Sequence, residues 1–478
     1  MKVPNLLRDL RSPIEGTSGA IERSGRFLGP TAVTLILASL AINLSFGRWG
    51  SYIGTPIQGL YFPDLLLIVG AVLSLTQLRK ARLLPKTALI FALPLIYFLS
   101  QAIYSVIRVP SSGYTLWVRD MAPFAYLSLV PLIALSLASL KPQVLVLVVR
   151  WSAAVYAAGF AISDFGLIPS WASGYVASDS VTAFSYRGDF TGFAIGIGIV
   201  AWGRWHFGLN RNFFMQGVLL AAGLTVSSRA AFVTLITLTL LSVLKDWSNS
   251  KFRGLVKLLF ATLFAAILLS FTATLATPTT PTTPTTPTET QTTTFDSFVG
   301  PPPAIAKSLS AGGGATFMAR IDTSIDSLRF VATGTNWIFG GGPGTDTLYY
   351  ACTGIQVAPK RTILESNSQI TYLPKCDVDS HEASSTLRDP HNWVLNLLLY
   401  HGFVGLLVFA LVLVLPLWTL RCLTYYRLSA FGVIGILLVS SFGVVLSAPF
   451  GLVPLTVFLA YLYANALRRE SLTHDTCH

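Results

Sequence analysis

The chain has 478 residues, of which 53% are hydrophobic and only 11% charged, and its mean hydropathy is +0.62. Soluble domains carry about 25% charged residues, so this composition excludes a soluble globular protein and points to a chain built mostly to lie in lipid. The formal net charge of +12 is scattered over short connections between apolar stretches, which excludes a nucleic-acid-binding patch and matches a membrane orientation signal.

Apolar stretches of spanning length fall at 28–46, 61–78, 87–107, 117–139, 144–167, 189–206, 213–226, 230–244, 257–275, 392–420, 429–447 and 451–467. The first follows a polar, basic lead too long for a signal peptide, with no small-residue cleavage pattern after it, so it is expected to be a retained span. The seventh and eighth are short, and fusing them into one would reverse every later orientation. Charge decides. With the N-terminus inside, the internal segments hold Lys2, Arg8, Arg11, Arg23 and Arg26, then Arg79, Lys80, Arg82 and Lys86, then Lys141 and Arg150. Arg204 and Arg211, the Lys245, Lys251, Arg253, Lys257 group, Arg421 and Arg427, and finally Arg468 and Arg469 continue the pattern. The short external loops and span ends offer only Arg48, Arg108, Arg119, Arg187 and Arg229. A fused pair would put the Lys245–Lys257 group outside, against the positive-inside rule.

The sequence therefore predicts an all-α polytopic membrane protein of about twelve transmembrane helices, with one large extracytoplasmic segment between helices nine and ten. Residues 1–275 form an N-terminal membrane domain, 276–390 the extracytoplasmic segment and 391–478 a C-terminal membrane segment, with both termini cytoplasmic.

The external segment opens with a Thr/Pro tract, Thr277 to Thr294, whose prolines favour an extended spacer, either plain or glycosylated. Thr316 to Val331 reads as a short amphipathic helix with Ile321, Ile325 and Leu328 on one stripe. Trp337-Ile338-Phe339 then leads into Gly340-Gly341-Gly342-Pro343-Gly344, which is either a plain turn or a backbone nest for an anion. Cys352 and Cys376 are external and form a possible disulfide in an oxidising compartment, whereas Cys422 and Cys477 are cytoplasmic. No Cys or His spacing matches a common zinc site, so no metal is expected, and neither a P-loop nor a dinucleotide fingerprint points to a cofactor.

Charged residues gather at the outer boundary. Asp389 is a good N-cap and Pro390 a good first helical residue, which places His391 in the first turn of the tenth span. There the helix dipole disfavours imidazolium and leaves a neutral ring able to accept a proton. An interfacial His that only anchors its helix satisfies the same position. Arg187 precedes the sixth span, Arg229 opens the eighth behind a capping Ser228, and Arg320 lies in the external segment. Each alone is accounted for as a headgroup anchor, and Asp189 sits close enough in sequence to neutralise Arg187. Together they compose a pyrophosphate site beside a general base, because guanidinium suits bidentate phosphate contact.

In this arrangement the chain resembles the O-antigen ligase and O-antigen polymerase superfamily of bacterial envelope proteins. The resemblance covers most of the length. It rests on the twelve-span layout, on Ser228-Arg229-Ala230, on Phe339-Gly340-Gly341-Gly342-Pro343-Gly344, and on His391-Asn392 followed by Leu395 and Gly402-Phe403-Val404-Gly405. Departures are Ala230 where the family often has Gly, Trp393-Val394 where an aromatic often takes the second place, and the Thr/Pro insertion.

The resemblance implies a metal-independent glycosyltransferase of the membrane GT-C type in the bacterial inner membrane. The donor is then a glycan on undecaprenyl pyrophosphate, and the acceptor a glycan or lipid at the outer face. His391 takes the role of base, supported by Asn392. Arg229, supported by Ser228, holds the donor pyrophosphate with Arg320 and, more loosely, Arg187; Arg329 competes with Arg320 for its place. A ligase and a polymerase differ only in acceptor. A secondary transporter is the reading from another class, and it predicts paired broken helices with charges near the bilayer midplane.

Overall fold

The computed structural model describes residues 22–55, 60–76, 85–107, 114–168, 181, 183–186, 188–205, 209–226, 228, 230–243, 328, 331–332, 336–343, 362–366, 369–373, 392–419, 427–441 and 445–472. Among these the chain is almost entirely helical. The long helices are α1 (Glu22–Ser51), α2 (Phe62–Ser74), α3 (Pro85–Ile107), α4 (Tyr114–Leu137), α5 (Pro142–Asp164) and α6 (Gly188–Ala201). They continue with α7 (Phe213–Leu224), α8 (Ala230–Val243), α9 (Trp393–Thr419), α10 (Arg427–Ser440) and α11 (Pro449–Leu472). Each coincides with one of the apolar stretches expected from the sequence. The stretch 257–275 lies outside the described residues.

Among the described residues, four helical segments are long and apolar enough to cross a membrane: Gly29–Ser51, Asp120–Leu137, Pro142–Asp164 and Trp393–Leu413. The remaining apolar helices are shorter; α7, with 12 residues, is about 18 Å long at 1.5 Å per residue.

The chain divides into two compact units, one of residues 1–108, 118–269 and 407–478, the other of residues 109–117 and 270–406. In the first unit α6 is the central helix, with every residue from Phe190 to Ala201 buried. A helix apolar on all sides belongs in the middle of a bundle, and glycines let its neighbours close on it. A Cβ on Gly192 would sit 2.1 Å from the Ala231 carbonyl oxygen, and one on Gly198 would sit 2.3 Å from Ala153 Cβ. Gly188, Gly192 and Gly196 meet Ser228, Ala231 and Leu238 in turn, so α6 and α8 run parallel. Gly198 meets Leu219 while Ile195 meets Gly223, so α7 runs antiparallel between them. The disputed seventh and eighth stretches are thus two helices of opposite direction, as the charge pattern requires.

Arg150, counted among the internal charges although it falls inside the 144–167 stretch, lies within α5 and is buried, only 5% exposed, rather than facing the membrane boundary. Its Nε donates to the Ala201 carbonyl at 2.7 Å, and its Nη2 to the carbonyls of Gly203 and Asn210 at 3.0 and 3.1 Å. The guanidinium lies 4.9 Å from the centre of the Trp202 ring, and Trp202 Nε1 donates back to the Arg150 carbonyl at 3.2 Å. Helix C-termini leave carbonyls without intrahelical partners. Here Arg150, with Trp205 on Ala201 and Gln216 on Ile199, satisfies the end of α6 from neighbouring parts of the chain.

Helices α2 and α4 are tied by polar side chains ten residues apart on each. Tyr126 donates its hydroxyl to the buried Asp64 carboxylate at 2.5 Å, and Ser136 donates to Ser74 at 2.7 Å. The Tyr61 amide also donates to Asp64, closing a capping box at the start of α2.

The second unit contains an antiparallel hairpin that the all-α reading did not anticipate: β1 (Thr362–Ser366) pairs with β2 (Gln369–Leu373), Thr362 opposite Leu373 and Ser366 opposite Gln369. Of the helix predicted over 316–331, the described residues Leu328 and Val331 are helical. Val331 is buried and Leu328 half exposed, so Val331 rather than Leu328 faces inward.

Candidate functional site

His391, Arg187, Arg229, Arg320, Arg329, Cys352 and Cys376 lie outside the described residues. The supporting residues Asn392 and Ser228 are described, and so is the framework on which these positions are strung.

Helix α9 begins at Trp393, and Asn392 is its cap: Asn392 Oδ1 accepts from Val394 N at 3.0 Å and from Leu395 N at 3.2 Å. This corrects the expectation that Asp389 caps the helix with Pro390 at its first position. The Asn side chain reaches two of the first-turn amides at once, which a start three residues earlier would have committed to other partners. Position 391 therefore immediately precedes the cap in the chain. Asn392→Ala is expected to cost about 1 kcal/mol of local helix stability, with Asn392→Asp close to wild type, read as hydrogen exchange of the amides of Val394 and Leu395.

Ser228 caps α8 as expected from sequence. Its carbonyl accepts from Phe232 N at 3.0 Å, whereas its hydroxyl makes only a long contact, 3.5 Å, to Ala231 N. A Cβ on Gly188 would lie 3.3 Å from Ser228 Cβ. The residue that follows Arg187 and the one that precedes Arg229 are therefore neighbours. Asp189 accepts from the Phe190 amide at 2.9 Å.

An aromatic cluster braces the approach to α6, and sequence reading missed it. Phe184 holds a left-handed backbone, φ 58°, unusual for a non-glycine residue. It is fixed by Ser163, whose hydroxyl donates to its carbonyl at 2.9 Å, and by Trp49, 5.5 Å away between ring centres. Tyr186 packs edge-on against Tyr156 at 4.9 Å, and Tyr156 hydrogen-bonds Thr191 of α6 at 2.8 Å. Gly47, with φ 55°, kinks α1 so that Tyr156 and Phe190 fit against it; a Cβ there would lie 2.7 Å from Tyr156 Cε2. The contributing residues come from four separate parts of the chain, and none has a local pattern to announce it.

In the second unit the glycine run folds onto a break in α9. The single turn Asn336–Phe339 ends on Gly340, whose φ of 70° and amide bond to the Asn336 carbonyl at 2.7 Å make it a left-handed C-cap. Gly341 N then donates to the Leu399 carbonyl at 2.8 Å and Gly342 N to the Tyr400 carbonyl at 3.1 Å. Both carbonyls belong to the last turn before Gly402, whose φ 61° and ψ −164° break the helix and are open essentially only to glycine. The two glycines face each other: a Cβ on Gly402 would lie 2.3 Å from the Ile338 carbonyl oxygen, and one on Gly340 would lie 2.5 Å from His401 N. With the amides of Gly340, Gly341 and Gly342 all given to protein carbonyls, these three do not form the anion nest that was one reading of the run. Beside this clasp His401, a histidine within α9 that sequence reading did not single out, is almost fully buried, 1% exposed.

Among the described residues no group of three or more His, Cys, Asp or Glu is gathered to hold a metal ion. Compared with known proteins, the chain matches no family model and no curated protein sequence.

Proposed function

We propose that the chain is an O-antigen ligase-like glycosyltransferase of the bacterial inner membrane, moving a glycan from undecaprenyl pyrophosphate to a hydroxyl-bearing acceptor at the outer face. The observation that carries this reading is the meeting of two motifs on which the resemblance rests. The Phe339–Pro343 run and Gly402, about sixty residues apart in the chain, close on each other within the helix that Asn392 caps directly after His391. The contact between Gly188 and Ser228 adds support, because Arg187 and Arg229 flank it in sequence. The twelve-span layout, with both termini cytoplasmic and the 276–390 segment outside, belongs to the same proposal.

In the reaction, the acceptor oxygen attacks the anomeric carbon and the bond from that carbon to the pyrophosphate oxygen breaks. Undecaprenyl pyrophosphate leaves with the bonding electrons, the acceptor proton passes to His391, and direct displacement inverts the anomeric centre. Fixed guanidinium groups at Arg229, Arg320 and Arg187 stabilise the charge that grows on the leaving group. His391 supplies the base that the hydroxyl needs.

The test is transfer by the purified protein in liposomes supplied with undecaprenyl-pyrophosphate-linked glycan and each acceptor. A lipid acceptor extended by the whole glycan marks a ligase, and a lengthened lipid-linked glycan marks a polymerase. Absence of transfer to either removes the proposal. Arg229→Ala is expected to raise the donor KM and lower kcat/KM by about 10²–10³-fold, the loss that follows removal of one group stabilising developing charge. Unchanged kinetics would remove Arg229 from the donor site.

A further inference from the structure

We infer that the connection between α6 and α7 binds an anionic phospholipid, whose phosphate is held by Arg204 and Arg211 and whose acyl chains lie on Trp151 and Phe214. The inference is separate from the transfer reaction. It borrows only the orientation that turns this connection toward the inner leaflet.

The first observation is a difference in reach. Gly198 meets both Ala153 of α5 and Leu219 of α7, so these three residues share one level. Tyr156 bonds Thr191 and Arg150 bonds Ala201, so α5 and α6 run antiparallel. Toward the connection α5 continues from that level by about 17 Å to Pro142, α7 by about 9 Å to Phe213 and α6 by only about 5 Å to Ala201, at 1.5 Å per residue. At the other end α6 and α5 keep pace, because Ser163 bonds the Phe184 carbonyl and Gly159 makes room for the Tyr186 hydroxyl. The deficit therefore falls on the side of the connection. Helices of 14 and 12 residues, about 21 and 18 Å long, fall short of a hydrocarbon core about 30 Å thick. A bilayer meets such a deficit by thinning, with head groups drawn inward to the residues that flank the helix ends.

The second observation is what those head groups would meet. One nitrogen of Arg150 donates to the carbonyls of both Gly203 and Asn210, so Arg204 and Arg211, each the next residue, leave neighbouring points of the backbone. Arg204 is exposed and Arg211 half-buried. Arg211 is also held in place: its Nε donates to Gln216 Oε1 at 2.8 Å, and its guanidinium lies 4.3 Å from the centre of the Phe213 ring. Gln216 is itself buried and fixed on the Ile199 carbonyl. A guanidinium oriented beforehand loses little freedom on meeting a phosphate. Around it the surface is apolar. Trp151 of α5 is 62% exposed and Phe214 of α7 53% exposed, at depths within about 5 Å of each other by the same rise per residue. A free anion would leave those rings bare, and a neutral lipid would leave the arginines without a counter-charge; an anionic phospholipid meets both.

The test is native mass spectrometry of the full-length protein titrated with phosphatidylglycerol or phosphatidylcholine. Phosphatidylglycerol is expected to bind about 30-fold more tightly, and Arg204→Gln or Arg211→Gln each to weaken it about fivefold. The double variant should bind the two lipids alike. Lys141→Gln removes the same charge from an exposed position at the end of α5 and should leave binding at its wild-type strength. A loss there equal to that of Arg204→Gln would show attraction to the basic face as a whole and overturn the site. Equal binding of the two lipids by the wild type, or undiminished binding by the double variant, overturns it too. So does inorganic phosphate that displaces phosphatidylglycerol at equal concentration, which would mark an anion site without a lipid. Should Arg211→Gln fail to fold for want of its bond to Gln216, the exposed Arg204→Gln decides alone. No arm reads glycan transfer, so failure here leaves the proposed function untouched.

Discussion

Replacing His391 with alanine is expected to lower glycan transfer by about 10²–10⁴-fold, the usual contribution of a positioned general base. Binding of undecaprenyl pyrophosphate should stay near that of the wild type, because the pyrophosphate is assigned to arginines rather than to the imidazole. The pH dependence follows from the same chemistry. A base must be neutral to accept a proton, so transfer falls as acidification converts the ring to imidazolium, and that acidic limb should be missing from the residual activity of the alanine variant. Single-turnover transfer across a pH series, with donor binding measured in parallel, checks both. A variant that transfers at the wild-type rate would return His391 to the role of an interfacial anchor.

Arg150→Met is expected to destabilise the first unit by about 3 kcal/mol or more, enough to deplete folded protein in the membrane. Methionine keeps most of the apolar stem and removes the fork. Three carbonyls, those of Ala201, Gly203 and Asn210, would lose their charged donor at once; Ala201 would keep the Trp205 Nε1 bond, so the cost falls mainly on Gly203 and Asn210. An unsatisfied buried acceptor costs about 1–3 kcal/mol. Arg150→Lys should fall between, since one ammonium cannot reproduce the planar geometry that spans the three. Thermal stability of the detergent-solubilised protein checks the order Arg, Lys, Met. Equal stability of all three would mean that the 202–212 connection holds itself.

Arg150 also marks where sequence reasoning stopped. Its charge was legible, its burial was not: a positive residue near a span end looks the same whether it faces headgroups or caps a neighbouring helix. Apolar periodicity and charge bias located the helices well, because a hydrocarbon solvent imposes length and polarity directly on local sequence. They even separated α7 from α8, where lysines downstream, rather than the helices themselves, carried the information. The start of α9 was misjudged by three residues because Asp389 and Asn392 are both good caps, and only the amides of Val394 and Leu395 choose between them.

The glycine run was recognised as a motif, yet its partner was not. Glycine tells that a backbone comes close without telling which one. Nor did the sequence announce the bracing of Phe184, which depends on Trp49 and Ser163, one distant in the chain and the other on a helix between.

The clasp has a corollary for how this chain can vary. It closes a loop of about sixty residues running from the glycine run to α9, and lengthening such a loop is cheap, about 0.6 kcal/mol for each doubling. The Thr/Pro tract of residues 277–294 lies upstream of both ends and does not enter that closure at all. Length and composition of that tract therefore do not bear on the closure, while Gly340 and Gly402, where the two motifs meet, are denied even a methyl group of latitude.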